Sequence, residues 1–174
     1  MNYTTLSSLN RSTYFLVLVG MIFLAACTRG QPPAQTPGVN QASENSKECQ
    51  PTAPDMLGPF YEPGAPLRDS VGEGYVLSGV VRSAPDCSSI PNAQIEIWTA
   101  GPDGQYSDDY RATLFSDENG AYRFQSHFPP PYSGRPSHHH LRVSAAGFET
   151  LVTQHYPQAG QSEATFDVVL VSGP

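Results

Sequence analysis

The sequence has 174 residues, which is enough for one domain of ordinary size once its unstructured ends are discounted. It carries 9 Lys and Arg side chains against 16 Asp and Glu side chains, for a formal net charge of −7. An acidic chain of this kind repels the phosphates of DNA and RNA, so nucleic acid is excluded as an expected partner.

The amino terminus is predicted to be an export signal and not part of the fold. Arg11 precedes an apolar run over residues 14–24, which is too short to cross about 30 Å of membrane hydrocarbon comfortably. The run closes in Leu-Ala-Ala-Cys, which resembles the bacterial lipobox and implies cleavage before Cys27 and a lipid on its sulfur. A plain signal peptide cut nearby, or a core helix, is the alternative interpretation.

Residues 1–26 are therefore assigned to the signal peptide, and the lipid would hold the mature chain at a bacterial membrane. Residue 28 is a threonine and not an aspartate, which favours the outer membrane or the cell surface in a host with two membranes. Residues 27–54 contain almost no large apolar side chains, so they cannot bury enough surface to order themselves and predict a flexible tether. The folded domain is expected over residues 55–174.

Two further cysteines, Cys49 and Cys87, remain once Cys27 is assigned to the lipid. In an oxidising compartment an even pair favours a disulfide, which would fasten the end of the tether to a loop of the domain. Two free thiols are the alternative, although exported proteins tolerate them poorly.

The rest of the chain is a series of short strands with no sustained helical period. Gly, Pro, Asp and Asn separate segments that are apolar or alternate between apolar and polar side chains. Strands are predicted over residues 75–82, 93–99, 112–115, 120–125, 141–145 and 165–171. The pattern predicts an all-β protein, an antiparallel β-sandwich of about seven or eight short strands with a prealbumin-like arrangement. Many such sandwiches only bind or stiffen, so the fold does not decide the function.

The stretch from Tyr132 to His140 is the strongest candidate for a functional site. Alternate side chains of an extended strand share a face, so His138 and His140 are expected to point the same way as a chelating pair and His139 the other way. Glycine and proline lie between Tyr132 and His138, and this turn chemistry can fold the phenol back over the pair. A solvated histidine-rich loop is the alternative.

Several landmarks occur in a fixed order between residues 56 and 171. They are Gly58-Pro59-Phe60-Tyr61, the Trp98 strand that leads to Gly104-Gln105-Tyr106, the hairpin from Asp117 to Phe124, Tyr132 after a run of prolines, Arg135-Pro136-Ser137-His138-His139-His140, and Thr153-Gln154-His155-Tyr156. Each landmark is weak alone. The ordered set resembles the intradiol ring-cleavage dioxygenases, the non-haem ferric enzymes that include catechol and protocatechuate dioxygenases.

The resemblance implies a non-haem Fe(III) centre with two tyrosinate and two histidine ligands. These ligands fall on Tyr106, Tyr132, His138 and His140. Phenolate oxygens are hard anionic donors that stabilise iron(III) over iron(II), and imidazoles suit iron without forcing a geometry. Because a free tyrosine has a pKa of about 10, only a strong Lewis acid keeps two of them deprotonated at neutral pH.

The family also implies distinct roles for these ligands. Tyr106 would stay on the metal, whereas Tyr132 would be the axial ligand that leaves when a catechol chelates the iron and that takes a proton from the substrate. His138 would be the other axial ligand and His140 an equatorial one.

The implied activity is that of an oxidoreductase that incorporates both atoms of O2 into a catechol-type ring. The ring would open between its two hydroxyls to a muconate-type diacid. Arg135 and Gln154 stand where the family places groups around the metal, and Arg135 would stabilise carbanion character on the bound ring. A structural salt bridge is the alternative for Arg135. For the whole protein, the alternative is a non-catalytic β-sandwich lipoprotein that binds a metal or a partner.

Two departures from the family pattern matter. Only Ser133 and Gly134 separate Tyr132 from Arg135, where the cytoplasmic catechol enzymes carry a longer insertion, so a more open mouth is implied. His139 replaces an apolar residue that is usual in the family, and no role is assigned to it. The sequence does not specify the ring substituents or the oligomeric state.

Overall fold

The computed structural model describes residues 49–174. The predicted signal peptide, the lipid site at Cys27 and most of the predicted tether lie outside these residues and stay predictions. Within residues 49–174, no helix has the length and the apolar character needed to cross a membrane.

The described part of the chain is built from short strands and one 3-10 turn at Asp108–Tyr110. The strands are β1 (Tyr75–Ser83), β2 (Gln94–Thr99), β3 (Arg111–Phe115), β4 (Ala121–Ser126), β5 (His139–Ser144), β6 (Leu151–His155), β7 (Glu163–Thr165) and β8 (Val168–Leu170). The predicted all-β fold is confirmed.

The strands form two sheets. One sheet has the order β4-β1-β7, with β8 also paired to β1, and the other has the order β3-β2-β5-β6. All pairs of the second sheet are antiparallel, as is β1 with β4. β7 and β8 instead run parallel to β1, because the chain reaches that edge by crossing from the other sheet and not through a hairpin. The predicted sandwich is therefore antiparallel except at this edge.

Two strand predictions differ from the structure. β6 was not predicted as a strand, because its Leu-Val-Thr-Gln-His sequence lacks a clear alternation. The single strand predicted over residues 165–171 is divided into β7 and β8 at Asp167. The Asp167 carboxylate accepts hydrogen bonds from the Val80 backbone N–H at 2.9 Å and from Arg82 Nε at 3.1 Å, so a side chain takes the place of ladder bonds there.

The core lies between the two sheets. The candidate metal ligands are not part of it. On β5, the side chains of His139, Leu141 and Val143 point inward and are fully buried. The other fully buried apolar side chains are Tyr75, Leu77, Val81, Ala93, Ile95, Ile97, Ala112, Phe124, Val168 and Leu170. Burial of each large aliphatic or aromatic side chain contributes about 1.5–3 kcal/mol, so the fold has a source of stability on the face of β5 opposite His140.

Residues 49–62, here named the strap, precede β1 and lie along the second sheet and β8. A disulfide joins Cys49 to Cys87 with their Cα atoms 5.2 Å apart. The Thr52 backbone N–H donates to Val169 O at 3.0 Å, and Thr153 Oγ1 donates to Ala53 O at 2.9 Å. The expected tether reaches residue 54, but these bonds attach residues 52 and 53 to the sandwich.

Candidate metal centre

A row of side chains crosses the outer face of the second sheet. Cross-strand pairing places Arg111 opposite Trp98, Trp98 opposite His140, and His140 opposite Gln154. Because side chains alternate along each strand, these four lie on the face away from the core. All four are nevertheless buried. The strap contributes to this cover, since Gly58 lies against His140 and Tyr61 packs at 5.1 Å from Trp98. The row therefore forms a shielded polar layer outside the core.

His138 and His140 form the expected pair. Their ring centroids are 4.8 Å apart, although His138 comes just before β5 and not within it. The Nδ1 atom of His138 lies 2.7 Å from the Pro136 carbonyl oxygen, which can only accept, so Nδ1 carries the proton. The lone pair of His138 is therefore on Nε2, which lies 3.4 Å from Tyr106 Oη.

His140 is held as a neutral imidazole. Its ring stacks on Trp98 at 4.9 Å between centroids with an interplanar angle of 3°. Burial, and then the neighbouring His138, lower the pKa of His140 to about 4. Its Nδ1 atom is buried and has no hydrogen-bond partner among residues 49–174. A neutral imidazole with a ring nitrogen that has no hydrogen-bond partner is suited to a metal ion.

Gly58 allows the strap to approach His140 closely. Its φ is +74°, a conformation that favours glycine, and an added Cβ would lie 2.9 Å from Cε1 of His140. The Gly-Pro landmark of the sequence thus has a steric cause, since any larger residue would push the strap away from the imidazole.

Tyr106 and Tyr132 face the same space as the two histidines. Their ring centroids are 5.3 Å apart with the planes at 89°. Phe60 of the strap stacks on Tyr106 at 4.3 Å and meets Tyr132 edge-on at 5.4 Å. Burial, and then the neighbouring Tyr132, raise the pKa of Tyr106 to about 12, against an opposing effect of Arg135. Tyr106 is therefore a neutral phenol at physiological pH unless a Lewis acid displaces its proton.

A two-residue turn joins Tyr132 to Arg135. Ser133 and Gly134 both have positive φ values, 46° and 79°, and the flanking residues exchange backbone hydrogen bonds of 3.1 and 2.8 Å. This is the geometry of a tight hairpin turn with two left-handed residues. It places the phenol and the guanidinium on adjacent legs of one small hairpin.

Arg135 forms hydrogen bonds with neutral groups. Its Nη2 atom donates to Gln154 Oε1 at 2.8 Å and to Tyr156 Oη at 2.9 Å. Gln154 in turn donates from Nε2 to the Met56 carbonyl at 2.6 Å. The salt bridge considered for Arg135 is not among the ion pairs of residues 49–174.

The structure thus brings together every metal-ligand and catalytic candidate of the domain. The four proposed ligands are Tyr106, Tyr132, His138 and His140, with Arg135 and Gln154 beside them. Within residues 49–174, no group of three or more His, Cys, Asp or Glu side chains is arranged to hold a metal. An ion at this place would therefore use the phenol oxygens as well as the imidazoles. Two anionic oxygen donors with two neutral nitrogen donors fit iron(III).

Comparison with known proteins shows that the chain is similar in sequence to 1,2-dioxygenases. No protein-family model matches the chain. It is 30% identical to the chlorocatechol 1,2-dioxygenase of Cupriavidus pinatubonensis, over 68% of this chain and 60% of that protein. It is 31% identical to the hydroxyquinol 1,2-dioxygenase of Nocardioides simplex, over 69% of this chain and 52% of that protein.

The fold agrees with these sequence matches. The dioxygenase domain of a dioxygenase and carbohydrate-binding fusion protein from Streptomyces sp. SirexAA-E superimposes with a TM-score of 0.62 and 25% identity, over 71% of this chain and 100% of that domain. The chain belongs to the intradiol ring-cleavage dioxygenase family. It covers less than two thirds of the length of the two curated relatives.

Two residues of this candidate site were not predicted from the sequence. Tyr156 was noted only as part of a landmark, although it follows Gln154 at the two-residue spacing that places side chains on one face of a strand. Asp55, which accepts a hydrogen bond from Tyr156 at 2.8 Å, is the first residue after the predicted tether, and no local pattern distinguishes it.

His139 faces the interior, as the alternation predicts. Its Nε2 atom lies 2.9 Å from Ser126 Oγ, and its ring stacks on Tyr75 at 5.4 Å. His155, opposite it on β6, bonds through Nε2 to Tyr75 Oη at 2.6 Å. His139, the middle histidine of the run, thus belongs to a polar cluster inside the sandwich and not to the candidate metal centre.

Proposed function

We propose that the protein is a non-haem Fe(III) intradiol dioxygenase. It would open catechol-type aromatic rings between their two hydroxyls with O2 and give muconate-type diacids. The observation that carries this proposal is the convergence of two phenols, Tyr106 and Tyr132, on the neutral pair His138 and His140. Bound iron(III) supplies a Lewis acid that makes the ring of the chelated diol reactive toward O2.

The two tyrosines are placed for unequal roles. Tyr106 is partly buried and stacked by Phe60, which suits a ligand retained throughout. Tyr132 starts an exposed two-residue turn, so its phenol has room to move. Tyr132 would hold the ion less firmly than Tyr106, and its phenolate would be a base for the proton of a substrate hydroxyl.

Arg135 supplies a fixed positive charge beside the phenols. A guanidinium cannot lose its proton in proteins, so it can stabilise negative charge that develops on the ring. Its hydrogen bonds to Gln154 and Tyr156 orient it without neutralising it.

Oxygen uptake by the iron-loaded protein tests this function. The panel consists of catechol, chlorocatechol, hydroxyquinol and protocatechuate. The names of curated relatives include the first three, and the site does not specify the ring substituent. We expect a visible tyrosinate-to-iron(III) charge-transfer band and one O2 consumed per ring opened. Iron-loaded protein that is colourless and takes up no oxygen would favour a non-catalytic metal-binding or partner-binding sandwich.

Export and lipid anchoring remain part of the proposal. They rest on the apolar run at residues 14–24 and on the lipobox-like ending at Cys27. An exported position at the outer membrane or cell surface would let the enzyme meet aromatic diols outside the cytoplasm. The Cys49–Cys87 disulfide is compatible with an oxidising compartment.

A further inference from the structure

Asp55 extends the hydrogen bonds around Arg135 outward to the strap. Its Oδ2 atom accepts the Tyr156 hydroxyl at 2.8 Å, and its Oδ1 atom accepts the Met56 backbone N–H at 2.6 Å. Its own backbone N–H donates to the Val152 carbonyl on β6 at 2.9 Å. Both carboxylate oxygens and the backbone of Asp55 are thus engaged, so its position relative to Tyr156 is well defined.

The hydroxyl of Tyr156 has one proton and two acceptors in reach. Asp55 Oδ2 lies at 2.8 Å and Gln154 Oε1 at 3.0 Å. The bond from the Met56 N–H, followed by the bond from Tyr156, lowers the pKa of Asp55 against the effect of burial, so Asp55 is an anion at neutral pH. A carboxylate is a stronger acceptor than an amide oxygen, so the proton points to Asp55.

This direction of the Tyr156 proton matters for Arg135. With the proton toward Asp55, a lone pair of Tyr156 Oη faces Arg135 Nη2, which lies 2.9 Å away and can only donate. The Oε1 atom of Gln154 then stays available for Arg135 at 2.8 Å. If the proton turned to Gln154, it would compete with Arg135 for that oxygen.

We propose that Asp55 is a positioning residue that holds the guanidinium of Arg135 in place through the hydroxyl of Tyr156. Arg135 needs such support because it ends an exposed two-residue turn and has a long, flexible side chain. The strap thereby becomes part of the functional site, since it also supplies the Met56 carbonyl that holds Gln154. This inference rests on the proposed function, because the role of Arg135 does.

The substitution Asp55→Asn separates positioning from simple attachment of the strap. It preserves the size of the side chain, and its Oδ1 atom can still accept the Met56 N–H. Its Nδ2 atom then faces Tyr156 and can only donate, so the Tyr156 proton turns to Gln154. The Tyr156 hydroxyl then competes with Arg135 for Gln154 Oε1. The lone pair of Tyr156 Oη also loses its favourable orientation toward Arg135 Nη2.

A matched control loosens the strap without reaching Tyr156. Thr52 Oγ1 accepts the Val169 backbone N–H of β8 at 2.8 Å, three residues before Asp55, whose backbone N–H bonds to β6. The substitution Thr52→Val removes this bond and leaves Asp55 and Tyr156 unchanged. Any effect common to Thr52→Val and Asp55→Asn is therefore an effect of strap attachment.

The first measurement uses iron-free protein and does not depend on turnover. Phenylglyoxal modifies accessible arginines, and the rate at Arg135 is followed by peptide mass spectrometry. We expect Asp55→Asn and Tyr156→Phe to raise this rate several-fold and Thr52→Val to leave it at the parent value. If Asp55→Asn leaves it unchanged, or Thr52→Val raises it equally, Asp55 does not position Arg135. Tyr156→Phe provides the same test should Asp55→Asn fail to fold.

The second measurement uses the iron-loaded enzyme. Loss of an oriented hydrogen bond to a charged group predicts a fall of about tenfold in kcat with KM nearly unchanged. In an Arg135→Met background, Asp55→Asn should have no further effect on kcat. An additive effect there would overturn the proposal. If the parent turns over no catechol yet Asp55→Asn still raises Arg135 modification, the proposed function fails and the positioning by Asp55 stands.

Discussion

His140 combines the features expected of a metal ligand with a position outside the core. It is buried on the outer face of β5, and the apolar residues that stabilise the sandwich lie on the other face. The ring contacts Trp98 and the backbone of Gly58, so its loss leaves a small gap beneath the strap. The effect of this residue on the proposed binding of iron is therefore expected to be separable from its effect on the stability of the fold.

We expect His140→Ala to give a folded and nearly iron-free protein. Removal of one of the four donors damages the metal site, whereas truncation of a ring outside the core costs about 1–3 kcal/mol. The measurements are iron content per chain and the far-ultraviolet circular dichroism spectrum. Iron near one per chain with a parent-like visible band would contradict the ligand assignment.

The two phenols should respond differently to removal. Tyr132→Phe is expected to keep much of its iron and lose most of its rate, because a ligand displaced by substrate contributes less to holding the resting metal. Tyr106→Phe is expected to shift the visible band, weaken iron retention and abolish turnover, because a retained phenolate compensates the charge of the metal in every state. Iron content, absorbance and oxygen uptake are measured for both variants. Parent-rate turnover by iron-loaded Tyr132→Phe would refute the ligand-exchange mechanism.

β5 carries two different polar sets on its two faces. His140 lies in the candidate metal centre, while His139 lies in the sandwich with Ser126, Tyr75 and His155. The alternation of an extended strand keeps the two sets apart although the residues are adjacent in sequence. Changes on the inner face are therefore expected to affect stability more than iron binding.

The substitution His139→Ile is expected to keep iron and turnover. The imidazole is fully buried and contributes one hydrogen bond to Ser126 Oγ, which also donates to the His127 carbonyl at 2.8 Å and so keeps a partner. Its other nitrogen, Nδ1, is buried with no partner among the described residues, which costs stability that isoleucine would not. Iron content and oxygen uptake check the result, with His140→Ala as the contrasting variant. Loss of iron from His139→Ile would contradict the separation of the two faces.

The same substitution should alter how stability depends on pH. Burial, followed by the nearby His155, lowers the pKa of His139 to about 3 in the folded protein, whereas an unfolded histidine titrates near 6.5. Between these values the unfolded chain binds more protons than the folded one, so the free energy of unfolding falls as pH falls from about 6.5 toward 3. Urea unfolding of iron-free protein at pH 7 and pH 5 should show a smaller loss for His139→Ile than for the parent. Equal losses would show that His139 does not titrate as its burial requires.

For the whole molecule, the remaining prediction concerns its attachment to a membrane. The only cysteine outside the disulfide is Cys27, which is the expected lipid site. Cys27→Ser should move the protein from the membrane fraction to the soluble exported fraction or leave its precursor uncleaved. Fractionation and labelling with fatty acid check this. Labelled fatty acid that still enters the variant would refute the lipobox interpretation.

Much of the fold and of the site could be predicted because the signals are local. Period-two alternation indicated most of the strands and placed His138 and His140 apart from His139. The spacing of Tyr132 and Arg135 left room for a two-residue turn only, and the structure contains that turn. The resemblance of the ordered landmarks, more than any single residue, indicated which tyrosines accompany the histidines.

The sequence by itself thus determined the all-β pattern and the two faces of β5, since each depends on neighbours a few residues apart. The proposed set of donors came instead from the resemblance of landmarks spread along the chain. Tertiary structure decided the parallel edge formed by β7 and β8, the attachment of the strap, and the bond from Tyr156 to Asp55 across 101 residues of sequence. Such contacts depend on how distant segments meet in space. No periodicity within one segment encodes which partner another segment will provide.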